Sequence, residues 1–155
     1  ALGEASSTGL HGGNRLASNS MMEAAVYADA AARHAISVID SIELQRDIPA
    51  WDYEGTAVPE EMALITQDYK EMQQIMTNYV GIVRSDVRLE RAKRRLEIIF
   101  KETEELYLKS TLSQHLCELR NMIAVGYLII KQAEARHESV GLHYSIDYPA
   151  KPVEI

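Results

Sequence analysis

The sequence predicts a mainly α chain: a glycine-rich loop and one helix, then an antiparallel three-helix bundle and an extended C-terminal tail. Three observations carry that expectation. Apolar residues recur at spacings of three and four along four long stretches, the period of one helix face. Short turns separate the last three stretches, and helices joined in this way run antiparallel so that each covers its neighbour's stripe. The final segment, GLHYSIDYPAKPVEI, has two prolines and several β-formers, and reads as an extended tail packing back on the body with one short strand.

The first helix follows a loop, residues 1–18, that carries Gly3, Gly9, Gly12 and Gly13 among small polar residues. Ser20-Met-Met-Glu23 fits a capping box, so the helix is expected to begin there, with Glu23 reaching back to the cap. Ala24, Ala25, Ala28, Ala31, Ala32, Ala35, Ile36 and Ile39 keep the period, extending it to about Leu44. Residues 45–58 hold Pro49, Trp51 and Gly55 without a helical period and read as a linker. Pro59 suits the first position of a second helix, and Met62, Ile65, Tyr69, Met72, Met76, Tyr79 and Val83 carry that helix forward.

Ser85-Asp86 can cap a third helix, whose inward face is Leu89, Ala92, Leu96, Ile99, Thr103 and Leu106. Thr111 or Ser113 begins a fourth, with Leu112, Leu116, Leu119, Ile123, Gly126, Ile130 and Ala133 facing inward. Within it, Met122 to Ile130 is apolar on all sides and is expected to be the most buried stretch. The organisation is therefore residues 1–44 as loop plus helix, 45–58 as linker and 59–155 as the helical-bundle domain with its tail.

A net charge of −7 over 155 residues argues against nucleic acid or an anionic membrane as partner. The longest apolar run has nine residues, whereas a membrane-spanning helix needs roughly 20. The lone Cys117 reads as a buried thiol in a reducing compartment. His11, His34, His115, His137 and His143 show no metal-ligand spacing, so no metal is expected. The basic run Arg88 to Arg95 alternates with acids, and the Glu90/Arg94 and Glu97/Lys101 pairs make it a solvated helix face. Met62, Met72 and Met76 read as core packing.

The remaining feature is Gly9-x-x-Gly12-Gly13 with Arg15 ahead of a capped helix. A helix N-terminus offers unpaired N–H groups and partial positive charge to an anion, and an Arg fork matches a carboxylate or phosphate. From these residues alone, an anion site and a glycine-rich turn with Arg15 in a surface ion pair stand about even.

Three stretches carry a resemblance. GEASSTGLHGGNRLASNSMMEAAVYA, residues 3–28, resembles the C-terminal flavin-binding segment of the L-aspartate oxidase family, in the succinate dehydrogenase and fumarate reductase flavoprotein superfamily. NYVGIVRSDVRLERAKRRLE, residues 78–97, is similar to the start of that family's C-terminal helical domain, and ARHESVGLHYSIDYP, residues 135–149, to its ESRGLHYxxDYP ending. RLASNS and GLHYSIDYP favour the aspartate oxidases over the dehydrogenases of the superfamily. Val140 departs from the usual Arg, which puts that arginine's role in doubt, and Met21-Met22 stand where Leu-Leu is common.

The resemblance implies the C-terminal portion of an FAD enzyme that oxidises L-aspartate to iminoaspartate in de novo NAD synthesis, with oxygen or fumarate as acceptor. Residues 1–44 would then be the C-terminal segment of the FAD-binding domain. Glu4 matches the acid that holds a hydroxyl of the cofactor chain, Ser20 and Met21 match positions whose backbone approaches the flavin ring, and Arg15 matches the arginine that grips the dicarboxylate substrate. The proton carrier belongs to the upstream part of such an enzyme, so no catalytic residue is expected here and the chain alone is expected to be inactive. Its implied partners are L-aspartate, the N-terminal FAD and capping domains of the same polypeptide and, as a candidate, quinolinate synthase; its implied location is the cytoplasm. The rival readings are a succinate dehydrogenase or fumarate reductase flavoprotein and a helical interaction module that binds no flavin.

Overall fold

Two serines decide where the long helices of the C-terminal half begin. In the structure, a computed structural model describing residues 6, 8–12, 15–58 and 62–150, the Ser85 hydroxyl accepts from the Arg88 N–H and opens α3, Asp86–Lys109. Ser113 does the same for the Leu116 N–H and opens α4, Gln114–Glu134. Each satisfies one of the four N–H groups that a helix start leaves without a partner. Ahead of them run α1, Asn19–Val38, and α2, Met62–Tyr79. The chain divides into two compact units, Ala1–Trp51 and Asp52–Ile155.

In the second unit α2, α3 and α4 all pack on one another. Lys93 meets Glu134 at 3.0 Å and Glu104 meets Arg120 further along, so α3 and α4 run antiparallel. Glu71 of α2 reaches Arg95 of α3 at 3.6 Å. One turn earlier, burial and then the negative charges of Glu102 and Glu71 push the Asp68 carboxyl above its usual value. The shared core contains Ile65, Met72, Ile75, Leu89, Leu96, Ile99, Leu116, Leu119, Ile123 and Ile130. Gly126 belongs to this interior, since a Cβ there would overlap Met72 Cε. The α3 and α4 faces follow the predicted spacing, except that Leu106 and Leu112 are half-buried.

Several expectations need correction. Helix α1 gives way at Ile39–Ser41 to a single 3-10 turn and does not reach Leu44. Helix α2 stops at Tyr79, and Val83 lies in a strand because Gly81 ends the helix. A Cβ at Gly81 would come within 2.5 Å of the Thr77 carbonyl oxygen, so no larger residue fits where the chain leaves α2. The Met122 to Ile130 stretch is not buried all round: Val125 and Leu128 are each 57% exposed, because α2 and α3 cover only one side of α4. Met62 is exposed and Cys117 half-exposed, both at the margins of the core. Pro59 lies outside the described residues.

The basic run is built into the fold. Arg94 pairs with Glu90 at 2.8 Å, Lys93 with Glu134, Arg95 with Glu71, Arg88 donates to the Val83 carbonyl, and Arg91 stands over the Tyr79 ring. Glu97 and Lys101 do not come within ion-pair distance.

The tail returns to the start of α3. β1, Val83–Arg84, pairs in parallel with β2, Tyr144–Ser145. Just beyond β2, Asp147 Oδ2 accepts the Asp86 N–H at 2.7 Å, and the Tyr148 hydroxyl donates to Asp86 Oδ2 at 2.7 Å. The tail thus supplies α3 with a second N-terminal cap from 61 residues away. Arg84 donates to His143 Nδ1 at 2.9 Å, and His143 Nε2 donates to the Arg136 carbonyl at 3.2 Å. Val140 and His143 exchange both backbone hydrogen bonds, so the pairing does not depend on which side chain stands at 140. Among the described residues no helix is long and apolar enough to cross a membrane.

Candidate functional site

The loop and the start of α1 form the candidate site. Gly9 and Gly12 have φ of +74° and +55°, and nothing lies within 4 Å of where a Cβ would sit on either, so here glycine serves the turn of the backbone and not a tight contact. They fold the loop back toward the helix that follows it.

The helix starts differently from the capping box expected at Ser20. Its cap position is Ser18, held in the left-handed region at φ +68°, with no side-chain cap hydrogen bond. That conformation costs a non-glycine residue roughly 1–2 kcal/mol. The physical reason for the difference is that both partners of the box are engaged elsewhere. Glu23 Oε1 accepts from the Thr8 hydroxyl at 2.5 Å, and Glu23 Oε2 accepts from His11 Nε2 at 2.6 Å. The Ser20 hydroxyl accepts from Arg15 Nη1. The hydrogen bonds from Thr8 and then His11 hold the Glu23 carboxyl below its usual range.

Two of the sequence-predicted residues therefore come together, Arg15 and Ser20, on the first turn of α1. Met21 follows with its side chain 80% exposed. Glu4 lies outside the described residues. Sequence reasoning missed Thr8, His11 and Glu23 as a cluster. The signal was present, a His and a hydroxyl residue in a loop just before an acid near a helix start, but the local capping pattern claimed that acid first.

The donor set fits an electron-rich ligand. Among the described residues no side chain caps the first turn of α1, and although the Asn19 N–H donates to the Leu16 carbonyl at 3.3 Å, those of Ser20 and Met21 and the positive end of the helix dipole remain available. Glu23 has a loop donor on each of its oxygens, and the Arg15 fork has further donors beyond the one that Ser20 takes. A flavin ring and a carboxylate both match that pattern. Among the described residues no group of three or more His, Cys, Asp or Glu side chains is placed to hold a metal.

Known proteins share this chain's pattern. The family model described as fumarate reductase flavoprotein C-term matches residues 69–152. An L-aspartate oxidase from Vibrio cholerae is 41% identical over 154 residues, 99% of this chain and 29% of the relative. One from Yersinia pestis is 43% identical over 149 residues, 96% of this chain and 28% of the relative. The chloroplastic L-aspartate oxidase of Arabidopsis thaliana is 35% identical over 164 residues, 95% of this chain and 25% of the relative. The chain spans under a third of the length of each of these relatives.

Proposed function

Since the chain belongs to the fumarate reductase flavoprotein C-terminal family, whose name implies a flavin, we propose that it is the C-terminal portion of an L-aspartate oxidase. In this reading the parent enzyme uses FAD to convert L-aspartate to iminoaspartate for NAD biosynthesis and passes the electrons to oxygen or fumarate. The observation that carries it is the uncapped start of α1 with Arg15 folded against Ser20, in a chain similar along nearly its whole length to L-aspartate oxidases.

FAD, when bound, would accept the hydride that leaves Cα as the C=N bond forms. The residues of this chain do the rest by position and charge. Backbone N–H groups at Ser20 and Met21 would face the flavin ring, and they need no side-chain contact because the Ser20 hydroxyl is already committed to Arg15. A helix N-terminus is a fixed dipole, so it stabilises developing negative charge without reorganising. Arg15, oriented by Ser20, would take a substrate carboxylate in its fork. Glu4 would hold a hydroxyl of the cofactor chain. The acid-base residue, the adenosine contacts and the capping domain would come from the remainder of the polypeptide. The chain alone would then be silent in an assay. A cytoplasmic location and a quinolinate-forming partner belong to the same proposal.

The test is Arg15→Leu in the full-length enzyme. Loss of a positioned carboxylate clamp should lower kcat/KM for L-aspartate by about 100-fold or more. Wild-type kinetics would overturn the proposal, and faster oxidation of succinate than of aspartate would move it to the dehydrogenase side of the superfamily.

A further inference from the structure

We propose that Glu23 is a positioning residue for the dicarboxylate subsite: it straps the glycine-rich loop to α1 and so fixes where Arg15 stands. The inference rests on the functional reading above and adds to it a residue that has no part in that reading. Ser20 and Glu23 are three apart and share one face at the start of α1. The loop is tied to that face at two points, by Arg15 to Ser20 and by Thr8 and His11 to Glu23. Between the tie points the chain turns at Gly9 and Gly12.

The hydrogen bonding around Glu23 is directional. Thr8 Oγ1 accepts from the Leu10 N–H at 3.3 Å, so its hydroxyl proton is available to donate to Glu23. Each carboxylate oxygen takes one loop donor, and hydrogen bonds to a charged acceptor are about twice as strong as neutral ones. The carboxyl, held below its usual range by those two donors, keeps its charge. His11 and Glu23 side chains are only 23% and 22% exposed, so water competes poorly for them. Without Glu23 the turn at Gly9 and Gly12 loses the two hydrogen bonds that tie Thr8 and His11 to the helix, and Arg15, at the far end of the loop, loses its fixed origin. Asp is one methylene shorter, and Gln presents an N–H group to one of the two donors.

The experiment uses the full-length, FAD-loaded protein and malonate, a dicarboxylate that cannot be dehydrogenated, with its dissociation constant read from the flavin absorbance change. Glu23→Ala should weaken malonate binding by about 10- to 100-fold, Glu23→Gln by less, and both should retain wild-type FAD content. In an Arg15→Leu background Glu23→Ala should weaken malonate no further, since the two act through one contact. Additive losses, or unchanged malonate binding in Glu23→Ala, would overturn the inference. If Glu23→Ala does not fold, Thr8→Val and His11→Phe carry the test, each expected to weaken malonate several-fold and each overturning the inference if it does not. Malonate binding that is unchanged in Arg15→Leu is a separate result and sinks the functional reading itself.

Discussion

Helices α1 and α4 have nearly the same length, 20 and 21 residues, yet α1 buries no side chain and α4 buries Leu116, Leu119, Ile123, Gly126, Ile130 and Ala133. Both carry apolar residues at helical spacing. The difference lies in what surrounds them: α4 has α2 and α3 against it, whereas Met21, Val26 and Ile36 of α1 are exposed. An amphipathic period shows that a helix has a face to cover, and only neighbours turn that face into stability. The second unit stands on its own core, while the described residues leave the helix of the first uncovered.

The largest expected effect sharpens that contrast. Ile123→Ala should cost about 2–5 kcal/mol of unfolding free energy, as large-to-small changes in filled cores do. Ile36→Ala on α1 should stay within about 0.5 kcal/mol, as exposed substitutions do. Urea unfolding followed by circular dichroism measures both, and comparable losses would remove the distinction between the units. A smaller effect of opposite sign is expected at Thr103, whose buried Oγ1 has no hydrogen-bond partner. Thr103→Val should stabilise the second unit by about 1 kcal/mol, because an unsatisfied buried hydroxyl is removed at little change in shape. A loss of stability in the same titration would mean that the hydroxyl is in use.

The smallest effect is the pH dependence set by His143. Burial, then the adjacent Arg84 cation, holds its imidazole below the ordinary value of 6.5, opposed in part by its hydrogen bond to the Arg136 carbonyl and by the Glu138 charge. The unfolded chain therefore binds the proton at higher pH than the folded one, so stability rises with pH through that window. The contribution is fully present above about 6.5 and is lost as pH falls through the folded value. His143→Gln, which cannot charge, should flatten this slope, and an unchanged slope in thermal melts against pH would assign it to other groups.

What the sequence revealed was local. The caps at Ser85 and Ser113 and the inward faces of α3 and α4 are set by spacing within one helix, and a reader of residues can count that spacing. Several of the failures involve partners distant in the chain. Glu23 left the expected capping box for Thr8 and His11, 15 and 12 residues away. Val83 left a helical period to pair with Tyr144. The apolar girdle of α4 kept an exposed side because α2 and α3 cover only one side of it. Asp147 caps α3 from the far end of the chain. At the candidate site Arg15 and Ser20 were legible from the motif they share, while their mutual hydrogen bond and the Glu23 strap emerged only from the fold.

The division between a self-supporting unit and a ligand-facing helix start is tested most directly by amide hydrogen exchange on the full-length protein with and without FAD. Expected is a gain of protection at Ser20 to Glu23 on loading, with the amides of α3 and α4 equally slow in both states. No change at the start of α1, or cofactor-dependent protection spread through α3 and α4, would contradict it.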